Sequence, residues 1–287
     1  MSIYKTQIGR EMSLKLYDAQ LRKLEYSCKD VYVHTRFGRT HIIETGNLSG
    51  EPLLVFHGGN STTAYNLLMY RFLLKDFHIY AVDIIGHPGK SDEVNLSPRN
   101  YDYGKWARDV ITALGFDRIA CFGTSFGGGV LAKLMCTAPE KVKKSVLIVP
   151  SGINNAFPIS TVKMMIPLLK YKLTKNEKYI KKTALFMAIN EEILDKDTLN
   201  MVKDSFDHVK TKIGMPSNVS EQLMQQCKAP TLIMAAEKDC LFPAEKVLPR
   251  AQRIIPNNTV HMLKGCGHMH MMPEREQKMI VDFLSVE

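Results

Sequence analysis

From about residue 30 to 150, short apolar runs rich in β-branched residues alternate with longer stretches whose apolar positions recur every three or four residues. The short runs VYVHTRF, THIIET, PLLVFHG, HIYAVDI, RIACFG and SVLIVPSG read as strands. Between them, STTAYNLLMYRFLL, YDYGKWARDVITALG and GGGVLAKLMCTAPE carry helical spacing. This alternation predicts a mostly parallel sheet flanked by helices. Ahead of it, Leu14, Tyr17, Leu21 and Leu24 share one helical face and predict a helix packed on the domain.

From 153 to 226 the alternation stops, and the chain becomes helical and methionine-rich, with Met164, Met165, Met187, Met201, Met215 and Met224. Strands resume in PTLIMAAEKD and TVHMLKG, and PEREQKMIVDFLSV closes the chain as a helix with proline near its start. The expected organisation is a core of 1–152 and 227–287, interrupted by a helical cap at 153–226.

Composition narrows the class. A chain of 287 residues, 45% apolar and 23% charged, has enough material for a sizeable core. No stretch is long and apolar enough for a signal peptide or a stable membrane insertion, so a soluble, cytoplasmic protein is expected. Cys28, Cys121, Cys136, Cys227, Cys240 and Cys266 form no C-x-x-C pair, which argues against zinc and a disulfide framework; Cys240 and Cys266 are expected as free thiols. The formal charge of +9 is densest in KYKLTKNEKYIKK at 170–182. Without arginine clusters or interleaved stacking aromatics, this reads as a solvated helix face and not a nucleic-acid surface. The pattern carries no expectation of oligomeric state.

One stretch invites a nucleotide reading. GHPGKS at 86–91 ends like the phosphate loop G-x-x-x-x-G-K-[ST], but the first glycine position holds Ile84, and DEVNLSP follows where a helix should begin. The backbone cradle would be too short. The stretch is expected to form a turn, with Lys90 a surface side chain.

Chemistry concentrates in CFGTSFGGG. Gly123-Thr124-Ser125-Phe126-Gly127 is a G-x-S-x-G between a strand and a helix, the context in which a serine is presented on a strained turn. A dinucleotide fingerprint fails, because its second glycine position holds Ser125. A serine hydroxyl needs a histidine to take its proton and an acid to orient that histidine. Asp239 follows the strand TLIMAA, and His268 follows TVHMLKG, in the required order. Glu237 is the substitute acid, and His261 and His270 compete as bases. A soft-metal site in His268-Met269-His270-Met271-Met272 is disfavoured by the two-residue spacing.

An oxyanion needs preorganised N–H donors. Phe126, after the nucleophile, supplies one, and Gly59 in the loop His57-Gly58-Gly59-Asn60 is the candidate for the other, with Asn60 second. His57 is expected to orient that loop.

With these residues in place, the sequence resembles the α/β-hydrolase family over nearly its whole length, in particular its capped carboxylesterase-like members. Family motifs are matched by His57-Gly58-Gly59, by Gly123 to Gly127, by Asp239 with Pro243 in D-x-x-x-P, and by the G-x-G-H turn at 265–268. DIIGHPGKS resembles the family segment D-x-x-G-x-G-x-S with one extra residue. Relatives that act on haloalkanes or epoxides carry aspartate at the elbow, so Ser125 points to acyl transfer. The resemblance implies the α/β-hydrolase fold and a cofactor-free serine hydrolase for a small-molecule ester. Thioesterase, lactonase and carbon–carbon hydrolase chemistry use the same constellation, and a hydrolase-like ligand sensor is the alternative of another class. Asn60, Met164 and Met165 are the expected substrate contacts, in an apolar pocket favouring uncharged esters.

Overall fold

The computed structural model describes residues 2–155, 160–210 and 214–286. Its centre is an eight-stranded sheet in the order β1-β2-β4-β3-β5-β6-β7-β8. The strands are β1 (Lys29–Thr35), β2 (Gly38–Gly46), β3 (Glu51–Phe56), β4 (Phe77–Val82), β5 (Ile119–Thr124), β6 (Val142–Ile148), β7 (Thr231–Ala236) and β8 (Asn258–Leu263). Strands β3 to β8 pair in parallel, whereas β1–β2 and β2–β4 pair antiparallel. The hairpin has a simple cause: Thr35 pairs with Gly38, and so short a connection can only reverse the chain.

The continuous apolar runs of the central strands follow from burial on both faces. Along β5, Ile119 and Cys121 enter one apolar cluster, while Ala120 and Phe122 enter the other. In β7, Ile233 and Ala235 join the first cluster, and Leu232, Met234 and Ala236 the second. The first cluster is covered by α3 (Asp102–Ala113), α4 (Phe126–Thr137) and α9 (Ala244–Ile254), through residues such as Trp106, Val130 and Val247. The second is covered by α1 (Gln7–Leu21), α2 (Thr63–Met69) and α10 (Glu274–Ser285), through Tyr17, Leu67 and Ile280.

The expected N-terminal helix is α1, which buries Tyr17, while Leu24 is buried just beyond its end. Its Ser13 hydroxyl donates to Asp204 Oδ2 at 2.7 Å, so one face of α1 meets the helical region as well as the sheet domain. That region lies between β6 and β7 and contains α5 (Ser160–Thr174), α6 (Glu177–Ala188), α7 (Lys196–Asp207) and α8 (Glu221–Met224). Tyr171, Ile180, Ala184 and Val202 give it a small core of its own.

Candidate active site

The turn between β5 and α4 forces Ser125 to φ 52° and ψ −112°, a left-handed backbone in a non-glycine residue. Such a conformation costs about 1–3 kcal/mol and persists only where the surroundings over-determine it. Here Ser125 N donates to Ile148 O at 2.9 Å, and Ser125 O accepts from Gly129 N, Ser151 N and Ser151 Oγ, each at 3.1 Å. The flanking glycines answer different demands. A Cβ on Gly123 would stand 2.6 Å from Gly127 O, the strand–helix crossing itself, whereas one on Gly127 would stand 2.4 Å from Phe56 O in β3.

The structure brings the sequence candidates together in one chain of hydrogen bonds. Ser125 Oγ lies 2.9 Å from His268 Nε2, and His268 Nδ1 lies 2.8 Å from Asp239 Oδ2. The other carboxylate oxygen, Asp239 Oδ1, accepts from Leu241 N at 2.7 Å and Phe242 N at 2.9 Å. Asp239 is thereby fixed, His268 donates to it from Nδ1, and Nε2 is left as the acceptor for the serine proton. All these residues follow the carboxyl ends of parallel strands, where an open α/β sheet places its ligands. Lys238 N also donates to Cys266 O at 2.9 Å, bracing the acid-bearing and histidine-bearing loops against each other.

The rival residues have other tasks. Glu237 accepts from Gly265 N at 2.8 Å and supports the turn. His261 Nε2 lies 3.0 Å from Glu276 Oε1, on the α10 side. All six cysteines are unbridged; burial, followed by the nearby Asp239 charge, pushes the Cys240 thiol up to about 12.

Beside Ser125, the packing at Gly59 is close: a Cβ there would stand 3.1 Å from Phe126 Cβ. Phe126 is the first residue of α4, so its N–H has no intrahelical acceptor and lies at the positive end of the helix dipole. His57 holds the β3 loop: Nδ1 donates to Gly58 O at 2.7 Å, and Nε2 accepts from Ile84 N at 3.0 Å. Burial lowers its pKa, which suits this accepting tautomer.

A profile described as the alpha/beta hydrolase fold matches residues 51–187. Carboxylesterase YbfK of Bacillus subtilis is 28% identical over 273 residues, covering 93% of this chain and 92% of the relative. An uncharacterized carboxylesterase, nap, from the same organism is 25% identical over 283 residues, covering 94% and 91%. Among solved structures, naproxen esterase (carboxylesterase NP) from Bacillus subtilis superposes with a TM-score of 0.84 at 22% identity, covering 98% of this chain and all of that one. The chain has the α/β-hydrolase fold.

Within that fold, the recess at Ser125 is small, about 100 Å³, and is lined by Gly58, Gly59 and His268 together with the methionines 69, 187, 201 and 269. A larger cavity of about 520 Å³ opens across Phe126, among Leu96, Pro98 and Tyr103, and includes neither Ser125 nor His268. Asn60, Met164 and Met165, the expected substrate contacts, do not line this recess. Asn60 adopts φ 54° and sends its N–H toward His87 Nδ1 at 3.4 Å. Met164 packs on the apolar cluster containing Phe126, and Met165 is exposed, because α5 turns this stretch away from the recess.

The GHPGKS segment is a turn, as the family pattern implies, but a heavily bonded one. Asp83 accepts from Lys90 N at 2.8 Å and from Tyr17 OH at 3.1 Å, and Asp83 Oδ2 lies 2.7 Å from His41 Nδ1. Ser91 Oγ donates to Asp83 O and accepts from His41 N. The amides that a phosphate would need are directed inward: Gly86 N donates to Asp92 O, His87 N to Ile84 O and Gly89 N to Tyr4 OH. Lys90 is therefore not the plain surface lysine expected: Nζ lies 3.1 Å from Asp18 and 3.2 Å from Asp30, over the Tyr17 ring. Sequence reasoning also passed over Ser151, the brace of the elbow carbonyl. Its only signal is its place in VPSG, just beyond the strand beside the elbow.

Proposed function

We propose that this protein is a carboxylesterase that cleaves small, uncharged esters through an acyl-enzyme, with the helical region at 153–226 as a cap over the site. The observation that carries the reading is the continuous contact from Ser125 Oγ to His268 Nε2 and from His268 Nδ1 to Asp239. In this reading Ser125 Oγ attacks the ester carbonyl carbon while His268 Nε2 takes its proton, and Asp239 stabilises the imidazolium so formed. The N–H groups of Gly59 and Phe126 receive the oxyanion. Collapse of the tetrahedral intermediate breaks the carbon–oxygen bond to the alcohol, which leaves with the proton held on His268. A water, deprotonated by His268, then releases the acid and restores Ser125.

Two further features support the reading. The curated relatives named as carboxylesterases cover more than nine tenths of the chain. The recess lining contains no lysine or arginine among the described residues, which disfavours anionic acyl groups. The unbridged cysteines support a cytoplasmic location.

The deciding experiment is a panel of esters varying acyl and alcohol length, followed under multiple turnover. Many product molecules per enzyme are expected, together with a covalent adduct on Ser125 from a phosphonate ester. Product release that stops near one equivalent would instead indicate a ligand sensor.

A further inference from the structure

His270 lies two residues beyond His268, and its position gives it a use other than that of a base. It is 4% exposed, and Asn66 on α2 is 5% exposed; both line the recess that contains Ser125 and His268. Among the described residues, His270 Nε2 and Asn66 Nδ2 have no hydrogen-bond partner. Buried polar atoms are nearly always paired, because one left unsatisfied has lost its bonds to water and gained none in return. Thr124 Oγ1, in the same lining, is a third such atom, and their gathering around one small recess marks a place where another molecule completes the bonding.

Their chemistry can be assigned. His270 Nδ1 lies 3.1 Å from Gly267 O, a pure acceptor, so Nδ1 carries the hydrogen. Burial lowers the imidazole pKa, which keeps the ring neutral and leaves Nε2 a bare acceptor. The Asn66 amide is a donor. The remaining lining includes the methionines 69, 187, 201 and 269 and the hydroxyl-bearing Ser61, Tyr65, Tyr70 and Thr124, yet neither group finds a polar partner there. The recess therefore combines methionine side chains with an acceptor at His270, a donor at Asn66 and the Thr124 hydroxyl.

We propose that His270 and Asn66 form a specificity subsite for esters that carry an uncharged group able both to donate and to accept a hydrogen bond, a hydroxyl or a carboxamide. The assignment rests on the esterase reading of Ser125. A hydroxyl donates its proton to His270 Nε2 and accepts from Asn66 Nδ2, whereas a methyl group of similar size leaves both stranded. Sites built to bond a substrate hydroxyl discriminate strongly against analogues that lack it.

The test uses matched esters on the full chain: 2-hydroxyethyl butyrate against propyl butyrate for the alcohol arm, and ethyl 3-hydroxybutyrate against ethyl 3-methylbutyrate for the acyl arm. In one of these pairs the hydroxyl ester is expected to have a kcat/KM at least about tenfold higher. His270→Phe should collapse that ratio to within about twofold, and His270→Gln, which restores an acceptor, should recover part of it. Because each ratio is taken within one enzyme, a general loss of folded protein does not change it. Ratios near unity for both pairs in the wild type would overturn the subsite while leaving the esterase intact. A preference that survives His270→Phe would remove His270 from it. Failure to turn over any of the four esters would overturn the esterase reading, and the subsite with it.

Discussion

The turns that follow β4 and β5 lie on either side of β3 and are built from similar material, glycines set among small polar residues, yet they present opposite surfaces. After β5, Ser125 takes the left-handed backbone, its own carbonyl and amide are bonded into the protein, and its hydroxyl is aimed at His268. After β4, Gly86 and Gly89 take positive φ, and the polar groups turn inward onto Asp83, His41 and Tyr4. Glycine content alone does not separate a reactive turn from a structural corner. The difference lies in which side chains keep a bonding direction open to the recess.

If that contrast is right, side-chain substitutions should affect activity at one turn and stability at the other. The largest effect belongs to the elbow. Ser125→Ala and His268→Ala should each lower ester hydrolysis by roughly 10⁴-fold or more, and the double variant should be no worse than the poorer single one. Thermal unfolding of Ser125→Ala should stay near wild type. A residual rate within tenfold of wild type would remove the substituted residue from the reaction.

Glycine substitutions should treat the two turns alike. A Cβ on Gly89 would stand 2.5 Å from Asp83 Cγ at φ 147°, and one on Gly127 would stand 2.4 Å from Phe56 O. Gly89→Ala and Gly127→Ala are each expected to cost about 3 kcal/mol or more in urea unfolding, if they accumulate as folded protein at all. Wild-type stability in Gly89→Ala would mean that the corner is loose, contrary to its bonding.

Asp83→Asn comes next. Burial alone would raise the Asp83 carboxyl, but hydrogen bonding and charge from His41, with help from Thr63 and His57, outweigh it and hold the group below its ordinary value. A depressed carboxyl contributes stability that is present above its unfolded pKa and lost as the pH falls through the folded one. Wild-type stability should therefore drop as pH falls from about 4 downward, and Asp83→Asn should be less stable at pH 7 with a shallower acid slope. Parallel acid slopes in the two proteins would contradict this.

The contrast also shows what sequence can and cannot convey. The elbow was readable because a sharp strand-to-helix turn dictates small residues at 123 and 127, a constraint local to a few positions. Asp239 and His268 were readable because strand ends and chain order are local properties too. The central strands were readable because burial on both faces leaves continuous apolar runs. The corner was only half readable: its turn followed from glycine spacing, but the partners of Lys90 are Asp18 near the end of α1 and Asp30 in β1, far away along the chain. The lining of the recess was not readable for a related reason. Periodicity identifies the apolar face of a helix, but the orientation of that face toward the site is set by packing, so Met187 and Met201 line the recess where Met164 and Met165 were expected. His270 and Asn66 stand out only once burial and missing partners are seen together.

The smallest effect belongs to Lys90, where the corner and a phosphate loop demand different behaviour from one side chain. In a phosphate loop Lys90→Ala would abolish nucleotide binding. In the corner it removes ion pairs with carboxylates whose side chains are 47% and 52% exposed, so the attraction is screened by solvent and salt. A loss of about 0.5–1 kcal/mol at low ionic strength is expected, shrinking in 1 M salt, where the screening length falls to about 3 Å. Ester hydrolysis should stay near wild type, and millimolar ATP with magnesium should not shift the melting temperature of either protein. A salt-independent loss would place the contribution in packing of the lysine stem over Tyr17 and not in charge. An ATP-dependent stabilisation of the wild type that vanishes in Lys90→Ala would restore the nucleotide reading, against the inward direction of the Gly86, His87, Gly89 and Lys90 amides.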